Sequence, residues 1–202
     1  MRLLLITFLL LSSNSYSSYF DYTDRDHTKG EVVLDQSIVF AGHLSGYLLT
    51  QGDTIDKNGS WKKYNEHFLD FKFDNDNTNW NYFGHTYTGS QVYLFYRARG
   101  YTRSKSFALS FLSSLWFEAF IENYTEQPSI QDTFNTPVYG TALGFISEKV
   151  SVYLLNSDSV YVRALGRIIN PFSFMVEQKN VAFVPVYRDP TNYSFMVSFN
   201  YD

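Results

Sequence analysis

Four side chains in this sequence have the types and spacing to act together: His85, Glu118, Glu122 and Asp132. Glu118 and Glu122 are four residues apart, so a helix carries both carboxylates on one face. A buried carboxylate pair beside a histidine can do general acid/base work or hold a divalent cation. The competing role is structural, with Arg97, Arg99 or Arg163 neutralising the glutamates, because a buried charge needs a partner whether or not it does chemistry. The structural role is the leading expectation, and no cofactor or metal is expected.

Other motifs point away from chemistry. The run Asp74-Asn75-Asp76-Asn77 resembles the opening of a calcium loop. Its sixth place, however, holds Asn79 instead of glycine and its twelfth holds His85 instead of glutamate, so a capped turn is expected. His27, His43 and His67 stand alone; His43, on an apolar helix, reads as an interior residue or a cap. No Gly-x-Ser-x-Gly elbow and no His-Glu-x-x-His occurs in the chain. With no cysteine there is no disulfide, thiolate site or cysteine nucleophile. Sixteen basic against 20 acidic residues, a formal charge of −4, argue against nucleic acid as a partner.

Helices must position these groups. Leu34, Ile38, Ala41, Leu44 and Leu48 repeat at helical spacing and predict a helix over 31–51, ended by Gly52. Residues 52–60 read as a loop, and the alternation of Leu69, Phe71 and Phe73 as a short extended segment. A second helix is expected over 86–99, closed by Gly100, and a third over 104–123. The third is apolar on most sides, as buried or membrane helices are. One ridge differs: Ser106, Ser110, Ser114, Glu118 and Glu122 recur every four residues. Such small groups let another helix approach, and Gly89, Gly140 and Gly144 offer matching surfaces. A fourth helix is expected over 138–155, after Pro137, and a fifth over 159–169, stopped by Asn170-Pro171. Two β-prone runs, 181–187 and 193–201, flank the turn sequence Arg-Asp-Pro-Thr-Asn and predict a hairpin.

Aromatic residues make up 19% of the 202 residues and charged ones 18%. The first residues contribute: Arg2, the apolar run 3–11 and the small polar stretch 12–18 read as a secretory signal peptide over 1–17. Its apolar run is about half of what a membrane span needs. A polar, flexible lead-in is expected over 18–30, a helical domain over 31–171 and a β-hairpin tail over 172–202.

Several blocks, read in order, then carry a resemblance. They are SWKKYNEHFLDFKFDNDNTNWNYFGHTYTGSQVYLFYRARGY over 60–101, LWFEAFIE over 115–122, PSIQDTFNTPVYGTALG over 128–144 and IINP over 168–171. Together they resemble the bacterial Domain of Unknown Function 3943 family across about 31–171. The chain departs from that pattern in reading His85-Thr86-Tyr87-Thr88-Gly89 without the family's proline and second histidine, and in carrying Phe145 after Gly144. Longer members carry a β-rich C-terminal region resembling an outer-membrane barrel. The resemblance implies a bacterial envelope protein and no particular reaction.

The expected fold is mainly α, four to five packed helices with a C-terminal β-hairpin; the alternative is a small outer-membrane β-barrel. The expected role is structural or accessory, in the periplasm or outer membrane of a bacterium, with membrane lipid or an envelope protein as partner. The alternative is an envelope hydrolase or transferase acting on lipid or glycan through His85, Glu118, Glu122 and Asp132.

Overall fold

The computed structural model describes residues 20–73, 83–177, 181–189 and 192–199. The expected signal peptide and the Asp74–Asn77 turn lie outside the described residues. The body over 20–177 is helical, and among its described residues the one β contact is an isolated parallel bridge between Lys72 and Ser129. No barrel is formed among the described residues.

The long first helix, α1 (Lys29–Thr50), begins where the Thr28 side chain accepts from Glu31 N–H and the Glu31 carboxylate accepts from Thr28 N–H, a reciprocal cap that satisfies two end donors. Two short helices follow, α2 (Gly52–Asn58) in place of the expected loop and α3 (Trp61–His67). Then α4 (His85–Ala98) runs through the centre, with Tyr93, Leu94 and Tyr96 fully buried. Gly100, at φ +88°, ends it; that left-handed backbone favours glycine. Thr102 caps α5 (Arg103–Trp116) by accepting from Lys105 N–H.

The expected third helix does not run straight to Asn123. After Trp116 it widens into a π-helical turn (Phe117–Ile121), then tightens into a 3-10 turn (Glu122–Tyr124). The fourth starts earlier than expected: α6 (Ile130–Leu155) contains Pro137. Its first turns are anchored before the proline, by the Ser129 cap on Asp132 N–H (3.1 Å) and by Lys72 on both sides of Ser129. The proline therefore sits inside a helix that is already nucleated. α7 (Val160–Ile169) folds back on α6, and α8 (Ser173–Glu177) returns to α4.

Residues read as a flexible lead-in are pinned from Phe20 onward. Phe20 exchanges two hydrogen bonds with the Asn156 side chain, Arg25 N–H donates to Gly100 C=O (2.8 Å), and the His27 ring stacks on Tyr101 at 3.6 Å.

Around an apolar centre on α4, polarity is inverted on much of α1, α5 and α6. On α1 the stripe Leu34, Ile38, Leu44 and Leu48 is exposed, whereas Asp35 and Gln36 are buried. On α5 the buried residues are Ser106, Ser110, Ser113 and Ser114, while Phe107 and Trp116 face outward. On α6 the inward side carries Asp132, Thr133, Thr136, Gly140, Gly144, Glu148 and Ser151; Phe134, Val138, Leu143, Ile146 and Tyr153 face out. Several buried hydroxyls have partners: Ser110 donates to Ser106 C=O (2.8 Å), and the Ser113 hydroxyl lies within hydrogen-bond distance of Leu109 C=O (2.8 Å) and Gln36 Oε1 (3.0 Å). Each large apolar side chain left in water forgoes roughly 1.5–3 kcal/mol of burial. A surface this apolar is costly in water and cheap against lipid or another apolar surface.

Candidate functional site

The four sequence-selected residues come from four elements: His85 opens α4, Glu118 and Glu122 stand on the π and 3-10 turns, and Asp132 sits in the first turn of α6. The elements meet because α4 and α6 touch backbone to backbone. A Cβ placed on Gly89 would lie 2.0 Å from Thr136 C=O, and one on Gly144 would lie 2.6 Å from the Tyr93 ring. Ser114 on α5 donates to Asp132 C=O at 3.2 Å and draws the third helix in.

This close approach puts His85 Nδ1 3.0 Å from Thr136 Oγ1 and its Nε2 4.0 Å from Asp132 Oδ1. Glu118, 1% exposed, accepts the Ser129 N–H through Oε2 at 2.9 Å. Burial, and then the neighbouring Asp132 carboxyl, push the Glu118 pKa up to about 8 against the opposing pull of that N–H. Glu122 is raised well above the usual carboxylate range by burial first, then by Glu118 and Glu126. Burial and repulsion from neighbouring carboxylates raise both carboxyls, so near neutral pH this pair retains a proton.

Arg97 and Arg99, expected as charge partners of these glutamates, are engaged elsewhere. Arg97 donates to Glu148 Oε2 (2.9 Å), to Asp24 Oδ1 (2.7 Å) and to Tyr101 C=O; Arg99 reaches Asp35 Oδ1 at 2.9 Å. Arg163 donates to the carbonyls of Ser157 and Asp158. Among the described residues no lysine or arginine forms an ion pair with Glu118 or Glu122. The acid pair is thus stabilised by protonation and not by a cation, since an uncompensated charge at such a depth is expensive.

Sequence reasoning missed the most strongly paired acid. Glu148 is 1% exposed and takes Tyr93 Oη–H (3.0 Å), Arg97 and Arg103 together. Its signal was present: Gly140, Gly144 and Glu148 continue one ridge at steps of four. Asp35, fully buried, accepts from Arg99 and Tyr101. His43 reads from the sequence as an interior residue or a cap; its ring meets Phe117 edge-on at 5.3 Å, and neither ring nitrogen has a hydrogen-bond partner among the described residues.

Two chemical capacities follow. The pair Glu118–Glu122 can release or take one proton, and His85 beside Asp132 can be oriented as a proton carrier. Among the described residues no group of three or more His, Asp or Glu is arranged to hold a metal ion. Two surface depressions lie apart from this set. One is a polar cleft of about 450 Å3 lined by Asp21, Asp24, Arg97, Arg103, Ser104 and Lys149. The other is an apolar groove of about 210 Å3 between Phe71, Phe111, Leu115 and Phe134.

Residues 70–172, half of the chain, match the family described as Domain of unknown function (DUF3943). The match starts later than the resemblance read from Glu31. No curated protein and no solved structure matches the chain.

Proposed function

Because the chain belongs to the DUF3943 family, which carries no assigned function, we propose its role from its surfaces: a membrane-associated helical protein of the bacterial envelope, structural or accessory in function. The observation that carries this reading is the inverted polarity, with Asp35, Ser110, Glu118 and Glu148 inside and Leu48, Ile146 and Tyr153 outside. Helices lacking a hydrophobic drive toward each other pack instead through small residues and satisfied polar groups, as Gly89, Gly140, Gly144, Ser110 and Ser114 do here. The long helix α1 has the length and composition to cross a bilayer, and the leading residues 1–17 read as an export signal. We read the tail as a β-hairpin, with 181–189 and 192–199 as its antiparallel strands.

Fractionation followed by alkaline carbonate washing tests this reading. The protein is expected to stay in the membrane pellet; recovery in the soluble periplasmic fraction overturns it.

A second reading, an envelope hydrolase or transferase acting on lipid or glycan, is favoured by the proton-holding Glu118–Glu122 pair lying against Asp132 and His85. Substituting His85→Ala separates the two. A variant that stays folded and membrane-bound while its cellular phenotype disappears supports chemistry, and an unchanged phenotype supports the accessory role.

A further inference from the structure

The polar cleft is lined by groups of both charges. On one side, Arg103 gives Nε and Nη2 to Glu148 Oε1 at 3.2 and 2.8 Å, and among the described residues its Nη1 donates to no protein group. Lys149 lines the same wall and takes no ion pair among the described residues. Both cations gather on one ring: Arg103 Cζ lies 5.0 Å and Lys149 Nζ 5.9 Å from the centre of Phe145. The first turn of α5, the positive end of a 14-residue helix, adds to this side at Ser104. Deeper in the cleft Arg97 is fully engaged by Glu148 and Asp24, so it adds little free charge. Asp21, also lining the cleft, spends Oδ1 on Tyr22 N–H (2.8 Å), and among the described residues its Oδ2 takes no hydrogen bond.

The cleft opens directly onto the apolar exterior. Phe145, Lys149 and Tyr153 follow one another at steps of four on α6, with Ile146 and Val150 on the adjoining stripe, all exposed. A ligand lying here meets a cation, an acid and a hydrocarbon surface together. A free anion would use the first and be repelled by the second. We propose that this cleft holds the head of a zwitterionic phospholipid, its phosphate against Lys149 and Arg103, its ammonium against Asp21, and its acyl chains along the outer face of α6. Phosphate suits a fork-shaped guanidinium beside a point-charge lysine, and a primary ammonium can donate to the free carboxylate oxygen. This assignment rests on the membrane-associated reading and names the lipid class.

The test titrates short-chain phosphatidylethanolamine, phosphatidylglycerol and inorganic phosphate into the detergent-solubilised full chain, read by calorimetry. Saturable binding of phosphatidylethanolamine, tighter than that of phosphatidylglycerol, is expected. Lys149→Ala should weaken it about fivefold, the worth of one cation near a lipid surface. Asp21→Asn should abolish the preference over phosphatidylglycerol. Equal or tighter binding of phosphatidylglycerol by the wild type, displacement of the lipid by inorganic phosphate, or indifference to Lys149→Ala each overturns the proposal. If no lipid binds while the protein still resists carbonate washing, the cleft assignment fails and the membrane reading stands; if the protein also washes off, both fail.

Discussion

Gly89 and Gly140 are in backbone contact: a Cβ on Gly140 would lie 2.5 Å from the Gly89 Cα. This one contact sets the spacing of α4 and α6, and through it the reach of His85 to Thr136 and Asp132 and of Tyr93 and Arg97 to Glu148.

Gly89→Ala should therefore be destabilising, because the new methyl would meet a backbone carbonyl that cannot step aside. The expected loss is about 3 kcal/mol, at the upper end for overpacking. Gly42, with nothing within 4 Å of its would-be Cβ, is the control: Gly42→Ala should be neutral or slightly stabilising. Denaturant unfolding in detergent reads both.

Stability should fall as pH rises across the neutral range. The ordinary value for Glu118 is 4.5 and its folded value is about 8, so the folded chain holds a proton that the unfolded chain has released. That contribution is complete below 4.5 and is lost as pH climbs through about 8. Glu118→Gln should flatten this part of a melting-temperature against pH curve; an unchanged slope would mean that the pair does not hold the proton.

Glu148→Ala should cost about 3–5 kcal/mol, since it strands Arg97 in the interior without its main carboxylate. The exposed pair Lys62–Glu66, 3.9 Å apart, provides the contrast: Glu66→Ala should cost about 0.3–0.5 kcal/mol. Thermal unfolding of the two variants side by side measures the difference.

Ile146→Glu should leave the fold intact and loosen the membrane. The side chain is 57% exposed, so folding stability should change by no more than about 0.5 kcal/mol. The fraction released by carbonate washing should rise above that of the wild type. Equal retention would remove α6 from the membrane-facing surface.

Much of the helical framework is legible in the sequence. The apolar period of α1, the break at Gly100 and the Asn170-Pro171 stop place helix ends within a few residues of where they fall. The direction of α1 is not in that spacing. Leu34, Ile38, Leu44 and Leu48 mark one face, which in the fold points outward while Asp35 points inward. Periodicity identifies two faces of a helix and says nothing about the medium outside. The π turn at Phe117–Ile121 was hidden for a related reason: the serine–glutamate ridge keeps its step of four through the point where the helix widens. Pro137 was read as a helix boundary because its missing N–H weakens the turn before it, yet Ser129 and Lys72 hold that turn from outside the helix.

By itself the sequence determined the helical class, the small-residue ridges on which helices could approach, the four chemically capable residues and the family. Tertiary structure decided which charges meet. Arg97 finds Glu148 across 51 residues and Arg99 finds Asp35 across 64, leaving Glu118 and Glu122 to share a proton instead of an arginine. Local spacing sets what one helix face carries, whereas an ion pair depends on a few ångströms between helices distant in sequence, and here a pair of glycines sets that distance.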